Sequence, residues 1–428
     1  MKFLIQYILK ILAKAVLWRY QPDVIGITGS IGKTSAKEAI KAVLKSKFQV
    51  RTNIKNYNNE IGLPLTIIGQ ETGGSSIMKW MEVIINSIKL LLIFDKNYPK
   101  ILILEMGVDR PGDMKYLNKI VHARLGVVTF IGQAHIEFFG SIENIKKEKE
   151  LLIRNLPSDG WAILNNDNEK TRQIGMVSKA KTITYGFSEK ATVRAMEVAL
   201  SMGDDDQKLK GLSFKLGYNG SFVPVLLPNV LGLPAVYAAL AGACVGIING
   251  MNLVEISQAL KYFISPKGRL NFIKGINNSL IIDDTYNSSP PSAILALESV
   301  CQIKSGKIRW AVMGDMLELG EYSKEGHKQV GENILKNNFN KLVTVGSQAV
   351  EIGDTAHKLG MDSSNIYNFL DSNSAAKFLK ENISENNLLL IKGSQGARME
   401  IVVKEIMFEP EKAGELLVRQ GEEWTQKQ

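Results

Sequence analysis

The chain has 428 residues, 45% of them hydrophobic, which suits two or three domains with real cores better than one. Its two cysteines, Cys244 and Cys301, lie far apart and fall in no CxxC or Cys/His pattern; this excludes a disulfide scaffold, argues against structural zinc and suits a reducing compartment. The net charge of +9 is dispersed, without a basic stripe interleaved with aromatic residues, so anionic small substrates account for it and nucleic acid is not expected as a partner.

Residues 1–23, MKFLIQYILKILAKAVLWRYQPD, are apolar but interrupted by Lys10 and Lys14, too short and too charged to span a bilayer. A helix here sets both lysines opposite Leu9, Leu12 and Val16. That pattern fits an interfacial amphipathic helix in peripheral contact with a membrane, and equally a helix packed on the protein's own core. From residue 24 short β-branched runs alternate with helical stretches: VIGITGS, ILILEMG at 101–107 and LGVVTFIG at 125–132 read as buried parallel strands. Residues 77–95, IMKWMEVIINSIKLLLIFD, are expected to form a packed helix between strands, with membrane contact a weaker reading.

Residues 181–228 read as short strands and turns, a small β-rich insertion with the polar SMGDDDQK in its midst, and a helix follows at LPAVYAALAGACVGIIN. A domain boundary is expected at SPKGRL, 265–270, because a second α/β series begins beyond it with SLIIDDTYN, IRWAVMGDM, KLVTVGS and NLLLIKGS. The predicted fold class is α/β. A P-loop central domain over 24–265, with a mostly parallel sheet and the β-rich insertion, precedes a Rossmann-like α/β domain over 266–428.

Ile25 to Ser35, IGITGSIGKTS, follows an apolar strand and opens a helix, the context that a phosphate-binding loop requires. Gly29, Ser30 and Gly32 let backbone N–H groups approach the phosphates of ATP, Lys33 reaches their outer oxygens, and Thr34 beside Ser35 is the natural magnesium ligand. Strict Walker spacing puts its first glycine at Ile27, so the loop is a variant. Glu105 ends a strand where a carboxylate could meet phosphate-bound Mg2+, a hard cation that prefers oxygen. His135, with Glu137 nearby, ends the next one, a better position for a site than for structure. Lys146, Lys147 and Lys149 follow on a helix and ordinarily form a solvated face.

Taken together, TGSIGKTS, NNEIGLP, EMGVDRPGDM, AHIEFFGS, DDTYNSSPPS, GDMLELG and KGSQGARME resemble the Mur ligases over roughly residues 24–406. Within that family DDTYNSSPPS and GDMLELG are similar to the blocks of the member that adds D-alanyl-D-alanine. The resemblance implies a cytoplasmic ligase, at the inner membrane face if the N-terminal helix docks there, using ATP and Mg2+. It would activate a UDP-N-acetylmuramoyl-tripeptide as an acyl-phosphate and join it to D-alanyl-D-alanine. It implies that Lys33, Thr34, Glu105, His135 and a carbamylated Lys149 serve phosphate and magnesium, with Lys33, Lys149 and His135 catalytic. Arg269, Asp284, Tyr286 and Asn287 would close over the nucleotide from the second domain, and Asn58 and Asn59 would lie near the substrate. On chemistry alone, GRL and DDTYN read equally as a turn and a buried strand, and Asp315 and Glu318 as helix-start acids.

Two departures from the family pattern stand out. A separate domain that grips the UDP-sugar is expected before the phosphate loop, and about 25 residues stand there; the short helix with the 72–98 stretch, a partner or a different acceptor would make up for it. Leu233, Pro234 and Tyr237 occupy the places of the adenine-contacting Gly-x-His-Asn motif. The competing readings are a relative acting on another carboxylate and a non-catalytic nucleotide-binding module at the membrane surface. Retention of Lys33, Glu105, His135 and Lys149 speaks against the latter.

Overall fold

The computed structural model describes residues 2–53, 57–202, 209–303, 306–421 and 424. The first sheet contains β1 (Asp23–Thr28), β2 (Val50–Thr52), β3 (Ile101–Glu105), β4 (Leu125–Val128), β5 (Trp161–Asn165), β6 (Lys181–Gly186), β7 (Val193–Met202), β8 (Leu209–Tyr218) and β9 (Ser221–Pro228). Their order is β2-β3-β1-β4-β5-β6-β7-β8-β9. All pairs through β6 and β7 are parallel, with Ile25 opposite Ile103 and Leu125, whereas β7, β8 and β9 form an antiparallel meander. The β-rich stretch therefore extends the main sheet by hydrogen bonding. Most of its polar tract, residues 203–208, lies outside the described residues.

The unbroken apolar run of β3 has a direct cause. Ile101 and Ile103 enter the core beneath α2 (Lys33–Lys45), while Leu102 and Leu104 enter the core on the opposite face, so both sides of the strand are covered. The helix Leu233–Ile248 is buried around almost its whole circumference, against α2 on one side and β6 and β7 on another. Gly242 permits this approach, since a Cβ there would stand 3.1 Å from the Ala39 carbonyl oxygen.

On the other face, α1 (Lys2–Tyr20) buries Leu9, Ala13 and Val16 and packs on α3 (Gly62–Ile68) and α4 (Ile77–Leu92). The packed-helix reading of the N-terminus thus holds for one face of α1. The expectation that α4 is a packed helix between strands needs correcting: of its sixteen residues only Val83 and Ser87 are fully buried. It lies on the outside of α1, where the Tyr20 hydroxyl donates to Leu90 O at 2.8 Å, and does not cover the sheet as α2 does. Among the described residues no helix is long and apolar enough to cross a membrane.

The second sheet comprises β10 (Asn271–Lys274), β11 (Leu280–Asp284), β12 (Ile308–Gly314), β13 (Lys341–Val345), β14 (Ile366–Phe369) and β15 (Asn387–Lys392). Its order is β10-β11-β15-β12-β13-β14, parallel apart from the antiparallel edge strand β10. The chain passes from one sheet to the other between Leu260 and Asn271, and the loops after β1, β3, β4 and β11 meet in a single crevice. Strand C-terminal ends are where open α/β sheets place their ligands.

Candidate active site

The loop after β1 is held open by its neighbours. The Ser30 hydroxyl donates to Gly132 O at 3.0 Å and accepts from Gly132 N at 3.1 Å, while Thr129 Oγ1 donates to Ile31 O at 2.6 Å. Gly29 sits at φ +148° with its Hα facing Thr129; a Cβ there would be 2.0 Å from Thr129 Oγ1, so only glycine fits. Gly32, at φ +83°, precedes the first turn of α2, leaving backbone N–H groups directed into the cleft. Lys33 Nζ donates to Gly29 O at 2.9 Å, which folds the side chain back over its own loop. Burial pushes its pKa down, opposed by the nearby Glu105 and Asp109 carboxylates.

Glu105 is buried at the end of β3 and fixed from both sides. Asn53 Oδ1 accepts from the Glu105 N–H at 2.6 Å, and Asn58 Nδ2 donates to Glu105 Oε1 at 3.3 Å. Asn58 and Asn59 both line the cleft. Asn59 Oδ1 also accepts from the N–H groups of Ile61 and Gly62 at 3.2 and 2.9 Å, fixing the turn that leads into α3. His135 stands at φ +58° beyond β4, with Nε2 3.4 Å from Asp109 Oδ1 and Nδ1 2.7 Å from Glu318 Oε2. Glu318 belongs to the second sheet's unit, so this contact bridges the cleft, and His135 draws its pKa below the usual carboxylate range.

Lys149 is not on a solvated face. It is 1% exposed in the helix Ile142–Arg154, with its side chain turned inward, whereas the partly buried Lys146 pairs with Glu143 at 2.6 Å. Burial, reinforced by the charge of Lys33, lowers its pKa to about 7. A lysine in that range presents a neutral, nucleophilic amine at physiological pH.

From the second unit, Arg269, Tyr286 and Asn287 line the same cleft, whose volume is about 290 Å3, and Arg269 lies over the Tyr286 ring at 4.1 Å. Asp284 is placed one layer behind them. It accepts from Lys392 Nζ at 2.6 Å, and the same ammonium donates to Asn287 O at 2.8 Å, so the pair braces the loop. Arg419, near the C-terminus, donates to the carbonyls of Thr285 and Tyr286 from below. Sequence reasoning singled out neither Lys392 nor Arg419; the apolar run before Lys392 in NLLLIKGS was the available signal, and Arg419 had none. A smaller pocket of about 90 Å3 adjoins the phosphate loop between Phe130, Tyr185, Pro234 and Tyr237. The Tyr237 hydroxyl there donates to Asp167 Oδ2 at 3.0 Å, whereas Leu233 does not line it.

Among the described residues no group of three His, Cys, Asp or Glu side chains could hold a metal by itself. Thr34 and Glu105 both line the cleft and offer oxygen donors of the kind that fit a hard cation taking phosphate oxygens as well.

A phosphate loop facing a second α/β unit across one crevice, with a carboxylate and a histidine in its lining and a buried lysine within range of the Lys33 and Asp109 charges, defines a P-loop ligase working by phosphoryl activation. Residues 27–245 match the Mur ligase middle domain and residues 268–395 the Mur ligase, glutamate ligase domain, and the chain belongs to the Mur ligase family. It is 29% identical over 399 residues to the UDP-N-acetylmuramoyl-tripeptide--D-alanyl-D-alanine ligase of Bacillus subtilis, covering 93% of this chain and 79% of that protein. Its structure is similar to MurF from Acinetobacter baumannii, with a TM-score of 0.77 and 26% identity over 92% of this chain and 79% of that one. It is also similar to MurF ligase from Thermotoga maritima in complex with ADP, with a TM-score of 0.76 and 27% identity over 94% and 84% of the two chains.

Proposed function

We propose that the protein joins D-alanyl-D-alanine to the terminal carboxylate of a UDP-N-acetylmuramoyl-tripeptide in peptidoglycan precursor synthesis, converting ATP to ADP and phosphate. The observation that carries this reading is the convergence of Lys33, Glu105 and His135 on one cleft with Arg269, Tyr286 and Asn287, with buried Lys149 close enough to feel the charges of Lys33 and Asp109. The likeness to D-alanyl-D-alanine-adding ligases along nearly the whole chain supports the substrate.

In this reading residues 24–265 are the ATP-binding domain, 266–428 the domain that closes over it, and 1–23 an attached helix. The phosphate loop holds ATP, with Lys33 on the outer phosphate oxygens and the base in the pocket beside Tyr237. The substrate carboxylate oxygen attacks the γ-phosphorus, the β–γ bridging oxygen leaves with ADP, and an acyl-phosphate forms. The amine of D-alanyl-D-alanine then adds to the acyl carbon, loses a proton, and the tetrahedral intermediate expels inorganic phosphate. Little covalent work falls to the protein, so rate comes from positioning and charge neutralisation.

Thr34 and Glu105 would hold Mg2+, which would supply neutralisation of the phosphate charge. Carbamylation would convert Lys149 from a cation into the oxygen ligand such a site wants, and its lowered pKa supplies the neutral amine required. His135 orients the acidic side of the cleft, and Asn58 faces the incoming carboxylate. The enzyme works in the cytoplasm, where ATP is available, with peripheral attachment to the inner membrane face through α1.

The test is phosphate release from ATP and Mg2+ with UDP-N-acetylmuramoyl-tripeptide, with and without D-alanyl-D-alanine, and the product identified by mass. Product that requires both substrates is expected. Phosphate release independent of either would overturn the substrate assignment.

A further inference from the structure

Two neighbouring helices leave large apolar stripes in solvent. On α4, Met78, Met81, Ile85, Ile88 and Leu92 repeat at intervals of three and four residues, and all are exposed, Met78 to 77% and Leu92 to 76%. On α1, Leu4, Tyr7, Ile11 and Trp18 repeat in the same way, with Lys14 in the remaining place and Trp18 80% exposed. The stripes meet at their C-terminal ends, where Tyr20 stacks on Phe94 at 5.2 Å between centroids and Arg19 lies 5.9 Å over the same ring. Soluble surfaces seldom keep so much contiguous apolar area without a partner.

We propose that this face is a docking surface for an anionic lipid bilayer, on which α1 and α4 lie in the interfacial plane. The proposal deepens the peripheral attachment read above, and its binding step does not depend on the ligase reading. Charge selects the occupant. Around the stripes stand Lys14, Arg19, Lys79, Lys89 and Lys96 against the two acids Glu82 and Asp95. Lysines set within an apolar stripe oppose a protein seam, whose buried centre excludes them. At a bilayer their stems lie among apolar atoms while the ammonium groups reach lipid phosphates. Trp18, Tyr7 and Phe94 are the side chains that settle at headgroup depth.

The inner sides of both helices are already fixed, by Leu9, Ala13 and Val16 on α1 and by Val83, Ser87 and the Tyr20–Leu90 bond on α4, so docking requires no refolding. The face is also tied to the active site. Gln6 Nε2 of α1 donates to Glu60 Oε1 at 2.9 Å, and Glu60 follows Asn58 and Asn59 at the cleft. A docked molecule therefore holds the Asn58–Glu60 loop one helix away from the headgroups.

The experiment is co-sedimentation of the full chain with phosphatidylcholine vesicles, alone and mixed with phosphatidylglycerol, while the emission of Trp18 is followed against a Trp18→Phe control. Binding to the mixed vesicles, a blue shift lost in the control, and weakening by salt are expected. Lys14→Ala and Lys89→Ala should each weaken binding about five-fold, the usual contribution of one basic residue at an anionic surface. The triple variant Met81→Glu/Ile85→Glu/Ile88→Glu, at exposed positions, should release the protein while its turnover of soluble UDP-linked substrate is unchanged. A wild-type chain that stays in the supernatant with phosphatidylglycerol vesicles overturns the proposal, as does a dimer that the triple variant dissolves without vesicle binding. Vesicle binding without ligation overturns the ligase reading alone.

Discussion

Replacing Lys392 by methionine tests whether the second unit's loop over the cleft is braced from beneath. The Lys392 ammonium is 1% exposed and lies 2.6 Å from Asp284 Oδ2, with Asp283 adjacent and fully buried. Methionine fills most of the same space but leaves Asp284 as an uncompensated buried carboxylate and Asn287 O without its donor. Removing one member of a buried pair costs about 3–5 kcal/mol, mostly from the charge left behind. For a unit of this size each kcal/mol moves the melting temperature by about 2–4 °C, so a fall of roughly 6–20 °C is expected by calorimetry. Adding Asp284→Asn removes the stranded charge, and the double variant should recover at least about 1 kcal/mol relative to the sum of the two singles. A single variant within about 1 kcal/mol of wild type, or strict additivity in the cycle, would refute the brace.

Four further outcomes follow from the cleft. Lys149→Ala should fold normally and lose turnover, and wild-type turnover should rise with pH through about 7 when bicarbonate is present, because only the neutral amine is carbamylated; indifference to carbon dioxide sinks that role. The folded pKa lies below the unfolded one, so between about 7 and the ordinary lysine range the unfolded chain binds more protons and stability climbs with pH; Lys149→Met should flatten that slope in urea titrations across the window. Gly29→Ala forces a Cβ to 2.0 Å from Thr129 Oγ1 at a φ that L-residues resist by about 1–3 kcal/mol, and calorimetric titration should show ADP affinity lowered at least about ten-fold. Glu318→Ala removes the 2.7 Å link to His135 across the cleft; the pair is half-exposed and worth under about 1 kcal/mol, so KM should rise roughly two- to five-fold with melting unchanged.

What the sequence disclosed depended on how local each feature is. The phosphate loop, its strand and α2 form one contiguous stretch, and glycine and lysine at fixed offsets specify it without reference to the rest of the chain. Glu105 and His135 were placed in the cleft for a related reason: Glu105 ends a buried parallel strand and His135 lies in the loop after the next, so both sit at the ligand-binding end of the sheet. Lys149 was not legible from charge patterning, which assigns a lysine-rich helix to solvent; only its inward phase distinguishes it from Lys146, and the family resemblance supplied that information. For Asp284 the legible part was its position. Its neighbours Tyr286 and Asn287 line the cleft, but its ion-pair partner Lys392 lies 108 residues further on, on a strand whose adjacency to β11 no local pattern reveals.

The apolar periodicity of α4 shows why exposure is harder to read than secondary structure. A repeat of three and four residues identifies the apolar side of a helix, yet it carries no information on whether the protein itself covers that side. In α2 the equivalent stripe faces the sheet because the βαβ crossover places it there. α4 enters between β2 and β3 after α3 and α1 have already covered that face of the sheet, so its strongest apolar side is left outward. The same residues that made the helix easy to predict are therefore the ones this chain leaves in solvent, and they, with Lys14 and Lys89 beside them, are what the proposed bilayer contact rests on.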